Sequence, residues 1–416
     1  MASTDDSVHT RPPAAAPLDL SSSVAAATAA RELAASRLPV FVERLATLVG
    51  IDSGDDCPEG RERVAEVLAG WAAEAGCSCD FVPTPSGRHL VARLPGTGTG
   101  RIVLLGHHDT VFARGTAAAR PLTQAGGRVL GPGVADMKGG LLLALLAIEA
   151  LAGGERPFAA LELHSAPDEE IRTSVLPALP HVHGAAAALV FECGRENGDV
   201  VVGRKAGAWV HLSATGRPAH AGTEPERGRN AVLALCRELL RSDDLNGARA
   251  GLTVIAGTFA GGTIPNVVPE RAAAVVDVRA ESSDDLRWAL ERIADVSHGD
   301  GIAVDVTVEG PWPGIERNPG TSAMFDAARH LAARLGFAVG GQTSGGVSDG
   351  CWTSADGVPT LDGLGPVGGL DHSADEYILL DSIASRCGLA AGLCDAVGRG
   401  LLDGRLGEGG GPTGSL

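Results

Sequence analysis

Apolar residues along this chain change their spacing from segment to segment, and each change predicts a different element. Between Ala30 and Val49, Leu, Val and Ala recur at helical intervals, and a second helix is expected near Gly60 to Ala75. From His89 the runs shorten. HLVARLPG and RIVLLGHHDT end in Gly or polar residues, as buried strands do. LLLALLAIEALAG, after Gly139-Gly140, is long enough for a buried helix, and FAALELHSA and AAAALVFEC return to strand length. Strands alternating with helices imply an α/β sheet with much parallel pairing.

The middle of the chain is patterned differently. AWVHLSATG is a strand with alternation, Asn230 to Leu240 a helix, LTVIAGTFAGG and ERAAAVVDVRA strands, Ser283 to Val296 a helix with a Ser/Asp start, and AVDVTVEG a last strand. The order β-α-β-β-α-β is that of a ferredoxin-like sandwich. The α/β pattern resumes with SAMFDAARHLAARLG, VPTLDGLG and a final helix. The expected fold is an α/β domain (residues 29–205 and 313–404) with a mixed, largely parallel sheet, interrupted by an inserted ferredoxin-like α+β domain (206–312). Two domains suit 416 residues. The Ala/Pro/Ser-rich residues 1–28 read as disordered and 405–416 as a flexible tail.

Charge narrows the partners. Lys and Arg number 34 against 51 Asp and Glu, a net charge of −17, which repels phosphate backbones; aromatics at 3 % offer no stacking platform, so no nucleic-acid partner is expected. The N-terminus has neither the basic start nor the apolar centre of a secretory signal, and no uncharged apolar run reaches membrane length. Eight scattered cysteines read as free thiols in a reducing, cytoplasmic setting.

The candidate chemistry lies in loops that follow apolar runs: GHHDTV, GPGVADMKGG, APDEE, VFECG and LDHSADEY. Ligands on open α/β sheets gather at the carboxyl ends of strands. His107 follows one such strand, Glu170 a second and Glu192 a third, while Asp136 and His372 arrive from Gly-rich loops. Imidazole and carboxylate donors suit Zn²⁺ and neighbouring divalent ions, and a shared carboxylate can bridge two ions roughly 3.5–4 Å apart. In the pair Glu169-Glu170 one acid can ligate while the other takes a proton from water. Asp109, two residues after His107, is placed to hold the imidazole tautomer.

Single acids in loops are usually solvated, but seven donors and acids in matching contexts are not explained that way. His108 reads as a residue behind the ligands, His164 as a satisfied core histidine, and His181 and His183 as surface. GGVSDG lacks the Lys and helix of a phosphate loop, and no GxSxG motif is present.

Together, GHHDTV, GPGVADMKGG, the Glu-Glu pair, FEC, RPAHAG and GLGPVGGLDHS resemble the M20 metallopeptidase family, particularly its glutamate-carboxypeptidase-like branch, over about Ala30 to Arg399. The resemblance implies that His107 and Glu192 hold one metal, Glu170 and His372 the other, and that Asp136 bridges them. Glu169 is then the general base and Asp109 the orienter of His107. It further implies that the inserted domain is a lid that commonly dimerises. Its His220 reaches an active site, often the partner's, to steady the oxyanion, and Asn266 and Arg279 meet the substrate carboxylate. Two features depart from the glutamate-releasing pattern. Met137 stands where a second acid often follows the bridging Asp, and CGRENGDV lacks the lysine expected for side-chain recognition, with Arg204 and Lys205 as substitutes.

The expectation is therefore a cytoplasmic, homodimeric hydrolase with two divalent ions, Zn²⁺ first and Co²⁺ or Mn²⁺ next. It would cleave an amide or peptide bond beside a free carboxylate. An N-acyl amino acid deacylase is the alternative within the class, and a metal-free ligand-binding protein on the same fold the alternative outside it.

Overall fold

The computed structural model describes residues 19–172, 175–296 and 302–403. Three helices come first: α1 (Ser21–Ser36), α2 (Leu38–Val49) and α3 (Pro58–Glu74). Strands β1 (Ser78–Thr84), β2 (Gly87–Pro95) and β3 (Arg101–His107), helix α4 (Gly139–Ala152), and strands β4 (Ala160–Ala166) and β5 (Ala187–Val190) follow. The insert runs β6 (Ala206–Thr215), α5 (Ala231–Asp243), β7 (Thr253–Gly261), β8 (Arg271–Ala280), α6 (Ser283–Ala294) and β9 (Ala303–Trp312). Helices α7 (Pro319–Arg334) and α8 (Asp349–Ala355), strand β10 (Thr360–Leu361) and helix α9 (Ser382–Gly398) complete the main body.

The central sheet has the order β1-β2-β4-β3-β5-β10. Its β4, β3, β5 and β10 are parallel, and the β1-β2 edge is antiparallel. The mixed, largely parallel α/β sheet expected from the pattern is thus present. Successive residues of β3 enter opposite layers: Ile102 and Leu104 join the large core, Val103 and Leu105 a smaller one with Ala188, Val190 and Val358. Helix α4 is apolar nearly all round and is buried accordingly.

The insert forms its own antiparallel sheet, ordered β7-β8-β6-β9, with a separate core of Ala208, Val210, Leu212, Leu235, Val276 and Leu286. Asn230 caps α5 by accepting from the Leu233 amide at 3.1 Å, and Ser282 caps α6 from the Asp285 amide at 3.1 Å.

Two expectations at the N-terminal end need correction. The helix predicted over Ala30–Val49 is two helices, because Pro39 cannot occupy a helix interior and instead sits at the start of α2. The disorder expected through residue 28 is corrected for residues 21–28, which are the first turns of α1. There Ser23 and Ala27 are buried, Ser23 donates to Asp395 of α9 at 2.8 Å, and a side chain at Gly388 of α9 would lie 2.7 Å from the Ala27 carbonyl. Small residues allow that close approach, and their low hydrophobic contrast concealed it. Residues 1–18 and 404–416 lie outside the described residues, and so does the flexible tail expected there.

Candidate metal centre

Parallel pairing places His107 opposite Ala166 on β4 and Leu105 opposite Val190 on β5. The residues that leave these three strands, His107 to Asp109, Pro167 to Glu170 and Phe191 to Glu192, therefore emerge side by side. The loop before α4 brings in Asp136. Helix α4 can approach closely because a Cβ at Gly140 would lie 2.0 Å from the Phe191 carbonyl. His372 has a left-handed backbone, φ 61°, as has Leu370. Non-glycine residues hold that conformation at a cost of about 1–3 kcal/mol, and such strain concentrates at functional sites.

His107 Nε2 lies 3.0 Å from Asp136 Oδ1 and 3.7 Å from Glu192 Oε1. His372 Nε2 lies 3.0 Å from Asp136 Oδ2 and 3.3 Å from Glu170 Oε2. Two donor sets result, His107–Asp136–Glu192 and Asp136–Glu170–His372, each with its donor atoms within 4.8 Å of one another, and Asp136 belongs to both. Asp109 binds His107 Nδ1 at 3.1 Å and also accepts the amides of Glu169 (3.1 Å) and Glu170 (3.0 Å). One buried carboxylate thus sets the imidazole and the acid pair together, leaving Nε2 of His107 facing the donors.

The electrostatics show a site short of positive charge. Burial pushes the Glu169 carboxyl up to about 7, helped by Glu170, Asp136 and Asp109. Burial also raises Glu170, and it lifts Glu192 well above the carboxylate range, with Asp136 adding to it. Asp136 goes the other way: burial opposes its charge, but hydrogen bonds from His107 and His372 hold it below the usual range. His372 is pushed up to about 11 by Asp136 and then Glu170, and Asp109 and Asp136 raise His107 despite its burial. One oxygen of Glu170, Oε1, is buried with no hydrogen-bond partner. Carboxylates raised in this way call for cations to balance them, and the orphaned oxygen of Glu170 is what a bound divalent ion would satisfy. The donors fit two ions.

A residue outside the sequence-derived set holds the loop in place. Glu376 is buried and accepts the amides of Gly133 (2.8 Å), Ala135 (2.8 Å) and Asp136 (2.9 Å), although burial pushes its own carboxyl up to about 7. It lies four residues beyond His372 in the same LDHSADEY segment, with nothing in its type or spacing to distinguish it from a solvated loop acid. Arg386, also buried, ties down the approach to His372 through the carbonyls of Gly363 and Gly365.

A cleft of about 640 Å³ opens over the donors, with Asp136, Glu169, Glu170, Glu192 and His372 at its base. Arg279 lines the same cleft from β8, paired with Asp277 at 3.0 Å. Arg204 lines it too, anchored to Asp362 at 2.5 Å, whereas Lys205 turns to the Gly251 carbonyl at 2.6 Å. His220 and Asn266 are not among the cleft residues of this chain. They neighbour each other through the Ala221 amide, which donates to the Asn266 carbonyl at 3.0 Å, and both are exposed. His108 contacts Ser165 at 2.9 Å, and His164 lies between His89 and Glu162. His183 pairs with Asp356 at 2.8 Å, and His181 is exposed.

An α/β sheet with such donors at the carboxyl ends of its strands defines a hydrolase of the metallopeptidase and amidohydrolase class. The chain belongs to peptidase family M20/M25/M40, whose profile matches residues 103–395. It is 26 % identical to carboxypeptidase G2 of Pseudomonas sp. (strain RS-16) over 387 residues, 89 % of this chain and 92 % of that one. Acetylornithine deacetylase of Vibrio atlanticus (strain LGP32) is 36 % identical over 110 residues, 25 % of this chain and 29 % of that one. In fold it is similar to the aminopeptidase PepT of Bacillus cereus, with a TM-score of 0.74 at 22 % identity, covering 86 % of this chain and 98 % of the other. No helix among the described residues is long and apolar enough to cross a membrane.

Proposed function

We propose that the protein is a dinuclear-zinc hydrolase that cleaves an amide or peptide bond beside a free carboxylate, acting as a carboxypeptidase on small peptides or conjugates. The observation that carries this reading is Asp136, whose two oxygens each face a different imidazole and a different donor set. His107 and Glu192 would hold one ion, Glu170 and His372 the other, with Asp136 between. Mixed imidazole and carboxylate donors favour Zn²⁺, with Co²⁺ or Mn²⁺ as substitutes. When bound, two such ions supply Lewis acidity toward the scissile carbonyl and a more acidic water.

The side chains divide the remaining work. Glu169, next to Glu170 and fixed through its amide by Asp109, takes a proton from water and returns it to the leaving amine. Asp109 keeps His107 in the tautomer that presents Nε2. The insert acts as a lid. Its exposed His220 steadies the oxyanion of a partner subunit's site, and Asn266 and Arg279 meet the substrate carboxylate. Edge strand β7 and helix α5 leave Ile255, Phe259, Leu233 and Leu240 exposed, a surface suited to a second copy. Eight free cysteines suit a cytoplasmic setting, and a net charge of −17 argues against nucleic acid.

An N-acyl amino acid deacylase would use the same residues, and the similarity to acetylornithine deacetylase favours it as the second reading. A metal-free binding protein would leave Glu170 Oε1 orphaned and the buried acids uncompensated.

The test pairs metal analysis with hydrolysis of dipeptides, folate-type conjugates and N-acyl amino acids by zinc-loaded protein. Glu169→Gln is expected to lower turnover by about 10²–10⁴-fold while the ions stay bound. Wild-type turnover in that variant would remove the proposed base, and a protein that binds no divalent ion would remove the whole reading.

A further inference from the structure

Aromatic residues are scarce in this chain, 3 % of the total, and tryptophans number five. Three of them, Trp209, Trp312 and Trp352, line the cleft over the donors. The other two have partners elsewhere: Trp71 lies beneath Arg44, and Trp288 beneath Arg249 and Arg292. Trp209 is on β6, whose alternate residues Ala208, Val210 and Leu212 are buried in the core of the insert. Its indole therefore stands on the other face of that sheet and is 38 % exposed. Packing of the insert does not account for it.

The ring is nevertheless fixed. It meets Trp312 edge to face, with centroids 5.2 Å apart and planes at 74°. Its Nε1–H donates to Asp277 Oδ2 at 3.0 Å, the carboxylate that also pairs with Arg279. A large apolar surface, held in one orientation and open to a cleft, suits a flat ring that would otherwise face water. Trp352, Ile171 and Val347 extend the apolar wall.

We propose that Trp209 and Trp312 make this cleft selective for substrates that carry an aromatic ring, placed either on the acyl side of the scissile bond or as the side chain of the carboxylate-bearing residue. The inference deepens the hydrolytic reading above and rests on it for the bond that is cleaved. Trp209 is the specificity determinant because it is the exposed member of the pair.

The experiment compares kcat/KM of the zinc-loaded protein for N-acetylalanine, N-benzoylalanine and N-acetylphenylalanine. At least one aromatic substrate is expected to exceed N-acetylalanine by about tenfold or more. Which one does so identifies the side that carries the ring. Trp209→Ala should remove that advantage, and Trp209→Phe should retain most of it. No aromatic preference, or a preference that survives Trp209→Ala, overturns the proposal. A second readout separates it from the reading beneath it: tryptophan fluorescence of zinc-loaded Glu169→Gln, with and without Trp209→Ala. Saturable quenching by N-benzoylalanine or N-acetylphenylalanine that disappears with Trp209→Ala, together with a zinc-loaded wild type that hydrolyses none of the three substrates, keeps the aromatic site and overturns the hydrolase. Hydrolysis of all three substrates at equal efficiency does the reverse.

Discussion

His107 is 1 % exposed and held through Nδ1 by Asp109, whereas His220 is exposed and its Nδ1 accepts amides of its own turn, from Gly222 at 3.1 Å and Thr223 at 3.2 Å. The contrast extends to their surroundings. Around His107, Asp109 and Glu376 together accept five backbone amides from Glu169, Glu170, Gly133, Ala135 and Asp136, so the loops carrying the acids are fixed to buried carboxylates. Around His220 the chain pairs with itself, Ala219 to Ala221 against Asn266 to Val268. Metal donors must be rigid because ions demand fixed distances. A residue that meets a substrate, or a second subunit's site, has to remain on a surface. The two regions therefore differ in the way expected if chemistry is organised in the α/β body and completed from the insert.

The severest test of the contrast is Asp136→Ala. It removes the one carboxylate common to both donor sets, so both ions should be lost and turnover should vanish. Metal content per chain, read by elemental mass spectrometry, checks this. Retention of two ions would show that Asp136 does not join the sets.

His220→Ala comes next. Turnover should fall by about 10²–10³-fold, the usual cost of losing an oxyanion donor, with metal content unchanged. If His220 serves the partner subunit, mixing and re-associating His220→Ala chains with Glu169→Gln chains should recover activity. One site of the mixed dimer then has both an intact Glu169 and an intact His220. No recovery from a mixture shown to contain hetero-dimers would confine His220 to its own chain.

The sequence disclosed one region far better than the other. His107, Glu170 and Glu192 each follow a strand-length run, and the gathering of ligands at the carboxyl ends of strands placed them at one edge of the sheet. The packing partners of those loops were not legible. Glu376 sits in a polar stretch, and its three amide partners lie about 240 residues earlier in the chain, where no local pattern announces them. AWVHLSATG was legible as an alternating strand, but that Trp209 faces the cleft is a tertiary fact. At the N-terminus, Ala-rich residues 21–28 gave no contrast between faces, so a helix buried on α9 looked like a tail.

The smallest expected effect concerns a polar cluster inside the sheet, which serves as a control for both regions. Glu162 of β4 is buried and pairs with Arg93 at 2.7 Å, Arg101 at 3.1 Å and His164 at 3.3 Å, with His89 behind His164 at 3.2 Å. Burial opposes its charge, but His164 and the two arginines bring its carboxyl down to about 2. A lowered carboxyl stabilises the fold fully above its ordinary value of 4.5, and that contribution fades as pH falls from there toward 2. Burial holds both imidazoles below their usual range while Glu162 raises His164 against it, so the protein and its Glu162→Gln variant are compared in a His164→Gln background, which leaves the carboxylate with its arginines. Urea midpoints should separate the two at neutral pH, and the gap should narrow as pH drops from about 5 toward 3. Metal content should not change at neutral pH. A gap that stays constant through this range would mean that the cluster acts by shape alone. A loss of metal would mean that the rigidity of the donor loops reaches deeper into the sheet than Asp109 and Glu376.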